Sequence, residues 1–147
     1  MRCMYTTKVG RISWRNGGRV DRFLNVYRKT ELRKVARQLQ SIGPVPLSTT
    51  LPVIHEVSNF LSATREFLAF QQILDRLQIF VRESESVAPW QETINWMIRY
   101  QEHEPDFVDA HLVVLASVDR QVKVWTNDSE FKTIWRRNDG SAVPLAV

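Results

Sequence analysis

Five acids sit where apolar sequence would be expected to continue: Glu56, Asp106, Asp109, Asp128 and, after Val20, Asp21. In "PDFVDAHLVVLASVDRQVKVWTNDSEF" (Pro105–Phe131), Asp106 and Asp109 open one apolar run and Asp128 closes another. Carboxylates gathered in a partly desolvated pocket repel one another and raise each other's pKa, so the arrangement calls for a cation. Mg²⁺ or Mn²⁺ prefers hard oxygen ligands and keeps several waters, so a few carboxylates without histidine form its expected binding set. Such an ion lowers the pKa of a bound water and neutralises charge as a phosphodiester opens, which makes metal-assisted phosphodiester hydrolysis the chemistry to expect.

Each acid also has a plainer reading. Asp106, following Pro105, is placed to cap a helix, and Asp109 suits the same helix dipole. Asp128 in "TNDSEF" fits turn chemistry, and Glu56 fits a solvated helix face. With three scattered histidines and one cysteine, Cys3, the chain offers no His triad, zinc cluster or internal disulfide. His55 reads as structural. Trp90, Trp96, Trp125 and Trp135 lie within or beside apolar patterns and are expected in the core.

The elements that must position these acids alternate. A helix from Thr30 carries Leu32, Val35, Ala36 and Leu39 and stops at Gly43-Pro44. Val45–Ser48 is a strand candidate, and Ser48, Thr49 or Thr50 can cap the next helix, with Pro52 in its first turn and Val53, Ile54, Val57, Phe60 and Leu61 on its apolar face. A helix over Arg65–Leu77, a strand over Gln78–Val81 and a helix opened by Pro89 follow. The last expected elements are a helix from Asp106 to about Ser117, a strand over Val122–Thr126 and an edge-like strand in "AVPLAV". Short strands alternating with longer helices predict an α/β sandwich around a mostly parallel sheet. In such sheets the site forms beyond the carboxyl ends of the strands, where Asp128 is placed.

The 147 residues, 44% hydrophobic and 24% charged, suit one globular domain. Residues 1–19 show neither helical nor strand periodicity and are expected to be irregular, with the domain over 20–147. No apolar run is long enough to span a bilayer and no signal peptide is recognisable, so no membrane is expected and a cytoplasmic location is. The net charge of +4 conceals an asymmetry: residues 1–40 hold eleven of the 20 Lys and Arg but two of the 16 acids. That basic end suits a polyanion such as RNA, or is a solvated arm.

Three segments, in order, resemble the PIN-domain ribonucleases, in particular the VapC-like toxins of toxin-antitoxin pairs. "LSTTLPVIHEVSNFL" resembles the helix that carries the family's Glu, here Glu56. "RYQEHEPDFVDAHLVVLA" is similar to its Asp-Phe-x-Asp-Ala segment, with Asp109 at the acid position and Asp106 beside it. "VWTNDSEF" resembles its strand-end Thr-x-Asp followed by Phe, giving Thr126 and Asp128. The resemblance covers roughly Thr30–Val147. It implies a three-layer α/β/α fold and a Mg²⁺- or Mn²⁺-dependent endoribonuclease acting on tRNA, rRNA or mRNA. It also implies a homodimer and a cognate antitoxin. Glu56, Asp109 and Asp128 would hold the metal and its water, and Thr126 would orient a carboxylate. The family's first strand, ending in Asp, has only "GRVDRFLNVYRKTE" to match it, so Asp21 either serves as the first acid or that acid is missing. In the second case the chain would be an inactive RNA-binding or antitoxin-binding module of the same fold.

Overall fold

The computed structural model describes the backbone of residues 2–5 and the whole of residues 33–83 and 89–147. The chain divides into two units, one of residues 1–8 and 45–146, the other chiefly residues 9–44. In the second unit the described residues form a helix over 33–42, α1. It ends at Gly43, which takes φ +75° and donates its N–H to the Leu39 carbonyl at 3.1 Å. A residue without a Cβ adopts that conformation at no steric cost, and Pro44 cannot continue the helix. The start expected at Thr30 lies outside the described residues.

The first unit is a mixed α/β structure on a small parallel sheet. Its strands are β1 (Arg2–Tyr5), β2 (Leu47–Thr50), β3 (Phe80–Arg82) and β4 (Val122–Trp125), in the order β3-β2-β1-β4. Every pairing is parallel, with Met4 opposite both Ser48 and Val124, and Ser48 opposite Phe80. The expectation that residues 1–19 are irregular is therefore corrected at Arg2–Tyr5, which forms the strand between β2 and β4. Four residues are too few to show a period, and this strand is defined by ladder partners on both sides rather than by its own alternation. Val20 and Asp21 lie outside the described residues.

The expected strand at Val45–Ser48 is displaced to Leu47–Thr50, and all four of its residues are buried. Thr50 takes the N-cap position of the next helix, α2 (Leu51–Ser58), but its side chain makes no capping bond, contrary to the expected cap. The strand ladder claims these hydroxyl residues, while Pro52, which has no N–H to satisfy, opens the helix. Helix α3 (Thr64–Arg76) starts where the Glu66 carboxylate accepts the N–H groups of Ser62 at 2.8 Å and Ala63 at 3.2 Å. The Ser62 N–H, then that of Ala63, hold the Glu66 carboxyl below its ordinary pKa. Its end at Gln78 uses a left-handed φ of +50° without glycine, a mild steric cost.

Helix α4 (Trp90–Arg99) buries Thr93 and Trp96, and α5 (Phe107–Val118) is buried continuously from Asp109 to Ala116. Helices α4 and α5 pack against each other, and α5 packs on β4. Burial all round α5 explains why its sequence is an uninterrupted apolar run rather than an amphipathic stripe. Trp96, Trp125 and Trp135 are buried as expected, whereas Trp90 is 67% exposed. Trp96 stacks on Tyr100 at 4.4 Å, meets Trp135 edge-on at 5.2 Å, and donates its indole N–H to the Arg136 carbonyl at 2.8 Å. A short helix, α6 (Glu130–Thr133), follows β4 and is pinned by the buried Phe131. The tail forms a parallel bridge of Leu145 with Val124 instead of the expected strand, because Pro144 can lend the ladder its carbonyl but no N–H.

Candidate metal centre

The strand order runs β3-β2-β1 to one side and places β4 on the other, so the winding reverses between β1 and β4. The crevice beyond the carboxyl ends of strands at such a reversal is where open α/β sheets form their sites. Strand β4 ends at Trp125, and Thr126, 8% exposed, begins the turn that follows. The Thr126 hydroxyl accepts the Asp128 N–H at 3.0 Å, and Asp128 Oδ1 accepts the Glu130 N–H at 2.9 Å. These two successive side-chain turns hold Asp128 in place and start α6, whose first residue is Glu130.

Asp109 arrives from the opposite direction. Helix α5 leads through a short turn into β4, so its first residues return to the carboxyl end of that strand. The Asp106 carboxylate accepts the Asp109 N–H at 2.8 Å, which satisfies an orphan donor of the first turn and establishes Asp106 as the helix cap. Asp109 itself is 3% exposed. Oxygens from Asp109, Asp128 and Glu130 all lie within 4.8 Å of one another. Three carboxylates so close, one of them buried, could hold a hard divalent cation, which would offset their mutual repulsion.

The structure thus brings together two acids singled out in the sequence and adds Glu130. Glu130 sits two residues from Asp128, and an acid-x-acid spacing just past a strand end was the available signal. Glu56 and Asp106 are not among the three; they line an adjoining cleft of about 490 Å³ with Leu51, His55, Asn59 and Phe107. Helix α2 starts directly after β2 and packs on α5, which puts Glu56, half-buried, next to the first turn of α5. Asp21 lies outside the described residues.

One more titratable group is buried nearby. His111, two residues after Asp109, is 7% exposed, stacks against Phe107 at 6.1 Å, and its Nε2 has no hydrogen-bond partner among the described residues. Desolvation lowers its pKa to about 4, so the buried ring is uncharged at neutral pH. Among the described residues no helix is long and apolar enough to cross a membrane. Comparison with protein-family models, curated proteins and solved structures returns no match.

Proposed function

We propose that this chain is a Mg²⁺- or Mn²⁺-dependent endoribonuclease of the PIN type, the toxin of a toxin-antitoxin pair. The three-layer α/β/α arrangement, the homodimer, the antitoxin partner and the cytoplasmic location belong to the same proposal. The observation that carries it is the convergence of Asp109, Asp128 and Glu130 within 4.8 Å. It lies at the reversal of a parallel sheet, with the cleft lined by Glu56 and Asp106 alongside.

A divalent ion held there would lower the pKa of an attacking water and neutralise charge on the phosphate. The chain's own contribution is positioning. Asp106 fixes the first turn of α5 and with it the backbone of Asp109, while Thr126 fixes the backbone of Asp128. Helix α6, anchored by Phe131, presents Glu130. Glu56 lines the cleft with Asp106, and in this reading it would act on water entering from that side.

The test is incubation with tRNA and ribosomal RNA plus Mg²⁺ or Mn²⁺, alongside Asp109→Asn. Loss of one ligand should lower cleavage by about a hundredfold or more, since even residues behind a metal's ligands are worth 10- to 100-fold. Equal cleavage by both proteins removes the proposal. The position of Glu56 outside the trio favours one second reading, a catalytically inactive RNA-binding or antitoxin-binding module. That reading expects RNA affinity with no metal-dependent cleavage.

A further inference from the structure

Directly after the acidic trio, "FKTIWRR" (Phe131–Arg137) places Lys132, Arg136 and Arg137 in seven residues without an acid. How these cations are held differs from the other arginines nearby. Arg82 pairs with Asp119 at 3.3 Å and Arg120 with Asp139 at 2.8 Å, so their charges are met by carboxylates. Arg136 instead donates from Nη1 to the Trp135 carbonyl at 2.8 Å and from Nη2 to the Thr133 carbonyl at 3.2 Å. Arg99, the last residue of α4, donates to the Asn138 carbonyl at 3.3 Å. Lys132 is exposed, and neither it nor Arg99 nor Arg136 forms an ion pair among the described residues. Arg137 reaches the Ser141 hydroxyl, which donates in turn to Asp139, so its charge is partly met.

Neutral carbonyls orient a guanidinium without cancelling its charge, and a fork with donors to spare is suited to phosphate. The carbonyls that hold Arg136 are at the carboxyl end of α6, and Glu130 is at its amino end. Four residues of helix span about 6 Å. Arg136 is therefore held by the far end of the same short helix whose first residue belongs to the trio.

We propose that Lys132 and Arg136 form a phosphate-binding ridge that holds the backbone of single-stranded RNA next to the acidic trio. The inference rests on the nuclease reading for its choice of ligand. A polyphosphate chain satisfies both halves of the surface, with one phosphate facing cation-loaded acids and its neighbours facing the ridge. An acidic peptide would satisfy the ridge alone.

Fluorescence anisotropy of a labelled single-stranded RNA tests this in the full chain, with Ca²⁺ replacing Mg²⁺ and Mn²⁺ so that the acids stay loaded while cleavage is suppressed. Wild type is compared with Arg136→Gln, Lys132→Gln and Arg136→Lys between about 50 and 200 mM salt. Each lost phosphate contact should reduce the slope of log affinity against log salt by about 0.7 and weaken binding severalfold at low salt. Arg136→Lys should keep the slope, because it keeps the charge, even where loss of the carbonyl contacts lowers the melting temperature. Wild-type affinity and slope in both Gln variants, loss of slope in Arg136→Lys, or no RNA binding by wild type would each overturn the ridge. Cleavage with Mn²⁺, assayed in parallel, separates the two claims. Ridge-dependent binding without any cleavage ends the nuclease reading and leaves the ridge, whereas cleavage with unaltered binding in the Gln variants does the reverse.

Discussion

The segment from α5 to Trp135 and the segment from α2 to β3 have similar shares of apolar residues but use them differently. In the first, Ala110, Leu112–Ala116, Val122, Val124, Trp125, Phe131 and Trp135 are each no more than 1% exposed. In the second, α3 buries none of its residues, and Phe60, Leu68, Ile73 and Phe80 are each at least half exposed. Asp109, Asp128 and Glu130 all stand on the tightly packed segment, whereas Glu56 stands on the looser one. Preorganised ligands need rigid support, so the packing contrast explains why the first three converge while Glu56 lines a neighbouring cleft.

The sharpest way to break this contrast is to truncate one leucine on each side of it. Leu112 is 0% exposed in the centre of α5, and Leu68 is 54% exposed on α3. Leu112→Ala should cost about 2 to 5 kcal/mol, the lost transfer energy plus a cavity its neighbours cannot fill. Leu68→Ala should stay within about 0.5 kcal/mol, because an exposed side chain has little burial to lose. Urea denaturation of the two variants measures both. Similar losses would mean that α3 is covered in solution and that the two segments are not different in kind.

The contrast also separates what was legible in the sequence from what was not. Helix α5 and strand β4 were readable because burial on every side leaves long apolar runs bounded by Asp106 and by Asp119–Gln121. Helix α3 was readable from its apolar set, Phe67, Leu68, Ile73, Leu74 and Leu77, but such a pattern does not state whether anything covers the face. The strand β1, "RCMY", was not readable, since its place depends on partners some 45 and 120 residues away in the chain. Asp109 and Asp128 were legible as acids at apolar edges. Glu130 was less so, because its one signal, the acid-x-acid spacing after the strand end, reads as ordinary surface chemistry until α6 is seen to carry it back to Asp109 and Asp128.

An intermediate effect should come from pH. His111 titrates near 6.5 when unfolded and near 4 when folded, because burial disfavours its charged form. Between those values the unfolded chain binds more protons than the native one, so stability falls as pH is lowered from 6.5 towards 4 and is complete above 6.5. The loss should be on the order of 2 to 3 kcal/mol. His111→Gln, which cannot titrate, should flatten this part of the stability profile in denaturation experiments run at successive pH values. An unchanged profile would show that the packed segment admits water or a proton at His111, and that its interior is less closed than the exposure suggests.

The smallest effect distinguishes structure from charge at the edge of the site. Asp106 caps α5 through the Asp109 N–H and also lines the cleft with Glu56. Asp106→Ala removes both roles and should cost about 1 kcal/mol of stability, the usual worth of an N-cap. Asp106→Asn keeps an oxygen that can accept the same N–H, so stability should recover to within a few tenths of a kcal/mol, less the small loss of a negative charge at the helix start. Calorimetric titration with Mn²⁺ then divides the roles. If Asp106→Asn binds Mn²⁺ like wild type while Asp106→Ala binds more weakly, Asp106 serves the site by fixing the turn that carries Asp109. If both variants weaken binding equally, its charge contributes directly, and the site extends from the packed segment into the cleft that Glu56 shares.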